Sequence, residues 1–209
     1  MNRLRLPFLI IALVLILDQT LKIWVKSHMY LGESIPVFID WFYFHFTENE
    51  GMAFGMSLGG NTGKLILSIF RIIAVIIMVV WLVKLAKKPS FDKWLAVCLA
   101  LIIAGALGNI LDSAFYGLIF SDSHYHQIAT LFPPGDGYTG FLHGKVVDML
   151  YFPLVEAHFP GWVPWLGGED FIFFRPVFNL ADSSITVGVT LLIIFQKRFF
   201  TTREKTEVV

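Results

Sequence analysis

Four aspartates in or beside long apolar stretches, Asp18, Asp112, Asp148 and Asp182, are the side chains of this sequence best equipped to do chemistry. An ionised carboxylate is costly next to lipid, so acids kept there mark a polar site at a membrane boundary. Two carboxylates held close share one proton, because both cannot cheaply ionise. One then acts as base towards water and the other as acid towards a carbonyl. That is peptide hydrolysis without metal or covalent intermediate. The spacing leaves open which two of the four acids pair. Asp182 falls in the first turn of a segment opening Phe178-Asn179-Leu180-Ala181-Asp182. There a helix dipole favours negative charge and a carboxylate satisfies free N–H groups, so a capping role is open as well. Asp148 follows an apolar pair in Lys145-Val146-Val147-Asp148-Met149-Leu150.

The neighbours of these acids have two readings each. Asp18 and Lys22 stand at i and i+4 on one helix face, as a neutralising pair or as a substrate contact. Gly105, Asn109 and Asp112 lie at i, i+4 and i+7, a pattern that serves close helix packing as well as catalysis. Other chemistries have weaker support. His124, His126, His143 and His158 are scattered and form no H-E-x-x-H. Ser183 and Ser184 have no histidine placed by sequence to activate them. Gly59-Gly60-Asn61-Thr62-Gly63-Lys64 lacks the spacing of a phosphate loop. A proton-coupled carrier, or a scaffold with structural aspartates, remains the alternative class. Acids gathered at one end of the spans suit a boundary site better than a conduction path.

The elements that must position these acids are membrane spans. The 209 residues are 56% hydrophobic and 15% charged, with a mean hydropathy of +0.69. Zero net charge gives no footprint for nucleic acid. The single cysteine, Cys98, lies in an apolar run as helix filler. A span takes ~20 mostly apolar residues, and four are expected, at about 6–25, 65–85, 94–113 and 179–200. The first ends at Asp18-Gln19-Thr20-Leu21-Lys22 with no small-residue cleavage site, so it is read as retained. Arg3 and Arg5, then Lys84, Lys87, Lys88 and Lys93, then Lys197, Arg198, Arg203 and Lys205 put both termini and the 86–93 loop in the cytoplasm. Segments 26–64 and 121–178 then lie on the other face, with Asp18, Asp112 and Asp182 near the outer ends of their spans. The expected organisation is one integral membrane domain, 1–209. Ile35 to Phe46 is aromatic and β-branched, which favours strands of a small sheet on the outer surface. Phe159-Pro160-Gly161-Trp162-Val163-Pro164-Trp165 has the character of an interfacial anchor.

Taken in order, the motifs resemble those of the bacterial lipoprotein signal peptidases, the signal peptidase II family. The residues that carry the likeness are Asp18-Gln19-Thr20-Leu21-Lys22, Asn49-Glu50-Gly51-Met52-Ala53-Phe54-Gly55, Gly105-Ala106-Leu107-Gly108-Asn109-Ile110-Leu111-Asp112, Val146-Val147-Asp148 and Phe178-Asn179-Leu180-Ala181-Asp182. The resemblance implies an all-α membrane protein of four transmembrane helices with a small extracytoplasmic β-rich cradle. It implies an aspartic endopeptidase of the bacterial inner membrane, without metal or cofactor. Its partners would be prolipoproteins carrying a diacylglyceryl cysteine, membrane lipid and family-type cyclic peptide inhibitors. By the family pattern Asp148 and Asp182 are the catalytic pair. Asp18, Lys22, Asn49, Gly51, Asn109, Asp112 and Asn179 shape and support the site.

The sequence departs from that pattern in two places. The third motif usually ends in Asp-Arg, whereas Ser113 follows Asp112 here, leaving Arg71, Lys145 and Arg175 as candidate substitutes. Segments near 119–143 and 153–175 look inserted, and are expected either to enlarge the outer cap over the cleft or to be neutral padding.

Overall fold

The computed structural model describes residues 3–50, 60–153, 155–158, 162, 168, 170–173 and 176–199. Three helices in it are long and apolar enough to cross a membrane. They are α1 (Arg5–His28), α2 (Gly60–Lys87) and α3 (Lys93–Leu111). The last of these widens into a π-helical turn over Asp112–Tyr116 and finishes in the short α4 (Gly117–Ile119). The C-terminal apolar helix, α5 (Leu180–Ile194), has 15 residues. A single turn residue, Phe195, follows it, and residues 196–199 are helical again, with the Phe199 N–H donating to the Phe195 carbonyl.

Towards the end of the bundle that holds the acids, α1 and α2 bury polar side chains and expose apolar ones. On α1 the buried positions include Asp18, Lys22 and Lys26 at successive i+4 steps, while Leu9, Leu13 and Ile16 are exposed. On α2, Lys64 and Ser68 are buried and Ile66, Phe70 and Ile77 are exposed. Water would reverse that arrangement; hydrocarbon favours it, because apolar side chains satisfy lipid and polar ones find partners only within the bundle.

α3 is the central helix, packed against α1, α2 and α5. Asp92 caps it by accepting from the backbone N–H groups of Trp94 and Leu95. Its close approach to α5 depends on small residues. A Cβ on Gly105 would strike the carbonyl of Ala181 and fall 2.7 Å from Ile185 Cγ1. One on Gly188 would fall 2.9 Å from the Cys98 carbonyl oxygen.

At one end of the bundle sits an antiparallel sheet in the order β1 (Ser34–Phe38), β2 (Phe42–Asn49), β3 (Val146–Tyr151), β6 (Val177–Phe178). The expected 35–46 strand is thus a hairpin, broken by a 3-10 turn at Ile39–Trp41. The β2–β3 register sets Thr47 opposite Asp148 and Asn49 opposite Val146. A separate hairpin pairs β4 (Val155–His158) with β5 (Asp170–Phe173).

The 119–143 segment packs as part of the fold. It turns back on the end of α3, with Tyr138 N–H donating to the Phe120 carbonyl and Thr139 N–H to that of Gly117. Phe120, Ala129 and Tyr138 join Val25, Phe46, Val147 and Met149 in one apolar cluster. Gly51, Met52–Gly55, Arg175, the tail from Thr201 and all of the 159–165 stretch except the exposed Trp162 lie outside the described residues.

Candidate active site

The polar centre forms where α1, α3, α5 and β3 meet. Lys22, fully buried, places its Nζ 3.0 Å from Asp18 Oδ2, 2.7 Å from Asp112 Oδ2 and 2.9 Å from Asn109 Oδ1. Those three acceptors match the three N–H bonds of an ammonium. The remaining Asp18 oxygen accepts from the N–H of Ala181 at 2.9 Å, inside the free first turn of α5. Asp112 Oδ2 also accepts from the N–H of Val147 at 3.3 Å, which ties the third helix to strand β3 beside Asp148. Gln19 closes this layer, its Nε2 standing 3.1 Å from Asp18 Oδ2 and 2.9 Å from Asp112 Oδ1.

Above this layer stand Asp148 and Asp182, joined through two asparagines. Asn179 begins α5 in a capping box: its Oδ1 accepts from the N–H of Asp182 at 2.8 Å, and Asp182 Oδ2 accepts from the N–H of Asn179. The Nδ2 of the same Asn179 donates to Asp148 Oδ1 at 2.7 Å. Asn109 Nδ2 donates to Asp182 Oδ1 at 2.8 Å, and its Oδ1 accepts from Asn179 as well as from Lys22. Asn49 Nδ2 reaches Asp148 Oδ2 at 3.3 Å from the end of β2. Asp148 is 3% exposed. Burial first, and then the neighbouring charge of Asp182, push its carboxyl up to about 7. An acid held near neutrality beside a second carboxylate is the arrangement in which one proton is shared and either partner can give or take it.

A family model described as signal peptidase II matches residues 10–198 of the sequence. The chain belongs to the signal peptidase II family. The lipoprotein signal peptidase of Porphyromonas gingivalis is 54% identical over 189 residues, covering 90% of this chain and 81% of the relative. That of Amoebophilus asiaticus is 38% identical over 187 residues, covering 88% and 75%. Two solved bacterial membrane enzymes, both determined by the in meso method, share the fold. One superimposes with a TM-score of 0.60 at 25% identity, covering 93% of this chain and 90% of its own. The other gives 0.55 at 28% identity, covering 90% of each. The chain is therefore a multi-pass membrane protein of a peptidase family, and the carrier or scaffold alternative is disfavoured.

Within this signal peptidase II fold, Asp18, Lys22, Asn49, Asn109, Asp112, Asn179, Asp148 and Asp182 form one connected hydrogen-bonded cluster. Gly51 is outside the described residues. Ser113 is 2% exposed, its Oγ donating to the Asn109 carbonyl and its own carbonyl accepting from the N–H of Gly144. Of the three candidate substitutes for an arginine there, Lys145 is engaged elsewhere, 3.3 Å from Glu48 Oε2 and 3.1 Å from Asp122 Oδ1. Arg175 is outside the described residues, and Arg71 is half-buried on α2.

Two features went unread in the sequence. One is Gln19, whose amide bonds Asp18 and Asp112 although its place in the first motif carries no sign of it. The other is a second buried ionic network beside the first. Lys26 pairs with Glu48, and its Nζ is 2.7 Å from Ser123 Oγ. Ser123 in turn donates to Glu48 Oε1 at 2.8 Å. Glu48 precedes Asn49, Lys145 leads into β3, and Ser123 belongs to the 119–143 segment, so this network pins that segment to the two strands that carry Asn49 and Asp148. The signal for it was the continued i+4 step from Asp18 through Lys22 to Lys26.

Proposed function

We propose that Asp148 and Asp182 are the catalytic pair of an aspartic endopeptidase that removes signal peptides from diacylglyceryl-modified prolipoproteins, cutting before the lipidated cysteine. The observation that carries this is the double hold of Asn179, which bonds Asp148 through its amide nitrogen and caps Asp182 through its amide oxygen. Membership of the signal peptidase II family, with lipoprotein signal peptidases as relatives, supports the substrate class.

In this reading the signal peptide's apolar stretch enters between the helices from lipid, and the diacylglyceryl chains stay in the bilayer and help set the cut point. The pair holds one water and one proton. The ionised partner takes a proton from the water as it attacks the scissile carbonyl, and the protonated partner donates to the developing oxygen. On collapse the first partner passes its newly gained proton to the leaving amine as the C–N bond breaks, and the second takes a proton back from the tetrahedral hydroxyl as the new carbonyl forms, which restores the pair. The two carboxylates supply every proton transfer, so the scheme calls for no metal. Asn179 and Asn109 orient the acids, while Lys22, Asp18 and Asp112 hold α1, α3 and β3 around them.

The charge distribution supports placing both termini in the cytoplasm, the sheet end and the pair near the extracytoplasmic face of the inner membrane, and α5 as a fourth, short span. Cyclic peptide inhibitors of the family would then reach the cleft from that face. The test is to assay purified Asp148→Asn and Asp182→Asn on a lipidated prolipoprotein. Cleavage falls by on the order of 10³-fold or more in each; wild-type activity in either variant removes that residue from the pair. Equal cleavage of a substrate lacking the diacylglyceryl group would remove the lipid from the account of the cut point.

A further inference from the structure

At the end of the bundle away from the sheet, α3 and α5 part to leave a groove. The two helices touch at Gly188, where a Cβ would fall 2.9 Å from the Cys98 carbonyl oxygen. One turn further along α5 a groove of about 250 Å³ opens, lined by Trp94, Cys98, Leu191, Phe195, Phe199 and Arg198. Arg198 is the only charged side chain among these six. Trp94 is 56% and Phe195 45% exposed, so the mouth of the groove lies on the flank of the bundle, where the spans meet hydrocarbon. Arg198 and Phe199 also line a second cleft of about 190 Å³, which Lys88, Ser90 and Asp92 make polar. Arg198 thus stands at the seam between an apolar groove and a polar one. Asp92 places it there: one of its carboxylate oxygens caps α3 and the other lies 3.5 Å from Arg198 Nε. Residues 84–99 and 190–199 together hold six bases and one acid, Asp92. A surplus of bases on the cytoplasmic side is general to spanning proteins, but it does not by itself set one at the head of an apolar groove.

We propose that this groove binds an anionic phospholipid, with an acyl chain against Leu191, Phe195 and Phe199 and the phosphate held by Arg198 and Lys88. An apolar channel that ends at a guanidinium fits an amphiphile with an anionic head. Basic pockets between spanning helices recognise such headgroups, and the planar fork of an arginine serves a carboxylate and a phosphate together. Within a bilayer the chain gains only packing contacts on entering the groove, so selectivity rests on the head. A zwitterionic lipid would bring its own ammonium among Lys88, Lys93 and Lys197, whereas a glycerol head leaves the phosphate charge for the protein. At their other ends α3 and α5 carry Asn109 and Asp182, which are bonded to each other. A lipid seated in the groove therefore fills the gap between the two helices that align these residues, without touching the acids.

The experiment uses the purified full-length protein and phosphatidylglycerol carrying a photoactivatable group on one acyl chain, with adducts mapped to the sequence by mass spectrometry. Adducts concentrated in 94–98 and 191–199 are expected, and unlabelled phosphatidylglycerol suppresses them where phosphatidylcholine of the same chains does not. Adducts spread evenly over the lipid-facing surface overturn the proposal. So does equal competition by phosphatidylcholine, which would mean that the head is not read. Equal competition by glycerol phosphate alone also overturns it, because the site would then hold a free phosphate rather than a lipid. Arg198→Gln raises the Kd for phosphatidylglycerol about fivefold or more, since a base near a headgroup is worth ~1 kcal/mol; an unchanged Kd overturns the proposal. Leu191→Trp, which fills the groove and leaves the bases in place, removes the adducts, and their persistence overturns it. If either variant does not fold the other decides, and if neither folds the competition on the wild type decides. No cleavage is measured, so failure here leaves the assignment of Asp148 and Asp182 untouched, and failure of that assignment leaves the lipid site standing.

Discussion

Asn179 Nδ2 stands 2.7 Å from Asp148 Oδ1, so the residue that starts helix α5 also fixes the acid on strand β3. Because its Oδ1 caps Asp182, a single side chain registers two elements that the short β3–β6 pairing also brings together. Asn179→Ala removes both bonds at once, together with those to Asn109 Oδ1 and the Val147 carbonyl. Loss of the cap costs about 1 kcal/mol of stability, whereas misplacing reacting groups by an ångström costs about 10²-fold in rate. The expected variant is folded, with kcat down about 10- to 100-fold and a small fall in Tm. Unchanged kcat would show that the pair is aligned without it.

The state of Asp148 sets a pH dependence with a definite sign. Its carboxyl titrates near 7 in the folded protein against an ordinary value of 3.8, so the native state binds the proton more tightly than the unfolded one. Stability therefore falls as pH rises from about 4 to 7, and the penalty is complete above 7. Asp148→Asn removes it, raising unfolding free energy at pH 8 by on the order of 4 kcal/mol and by little at pH 4. Activity of the wild type declines on the alkaline side near pH 7 as the shared proton is lost. Thermal unfolding and kcat/KM measured from pH 4 to 9 check both; a flat profile from 6 to 9 contradicts the assignment.

Lys22 neutralises two buried acids at once. Lys22→Met strands Asp18 and Asp112 without a counter-charge, which costs about 3–5 kcal/mol. Replacing all three together, Asp18→Asn, Lys22→Met and Asp112→Asn, restores most of that stability, because no unpaired charge is left inside. Unfolding measurements on the single and triple variants decide it; equal loss in both would mean that the hydrogen bonds, rather than the charges, matter.

Gly105→Ala tests how closely α3 must approach the start of α5. The added methyl meets the Ala181 backbone and stands 2.7 Å from Ile185 Cγ1, so α5 has to move. Overpacking of this kind costs about 1–3 kcal/mol, and Asp182, one residue from Ala181, moves with the helix. Lower Tm together with lower kcat is expected; a full kcat at reduced Tm would separate packing from alignment.

The spans and the acids were legible in the sequence for a shared physical reason: a charge within an apolar run is rare enough to stand out by itself. Asp18, Lys22, Asn109 and Asp112 could be placed by helical periodicity, since i, i+4 and i+7 define a face whatever it packs against. The partnership of Asp148 with Asp182 could not, because it depends on the β2–β3 register and on Asn179 reaching across between elements. The 119–143 segment was unreadable for a related reason. Its Ser123, Phe120 and Tyr138 gain meaning only from contacts with Lys26, Phe46 and Val147, all distant in sequence.

The polar stripe on α1 has a consequence for how the protein is made. Lys22 is bonded to Asn109, 87 positions further along, and the Asp18 carboxylate accepts from a backbone group 163 positions away. At roughly 5–20 residues per second of synthesis, the first helix enters the bilayer many seconds before its partners exist. During that interval the only acid within reach of Lys22 on its own helix is Asp18, one turn away. The same ion pair that later helps to anchor the active centre is thus what lets the nascent helix wait in lipid, so α1 carries its own insertion escort within its sequence.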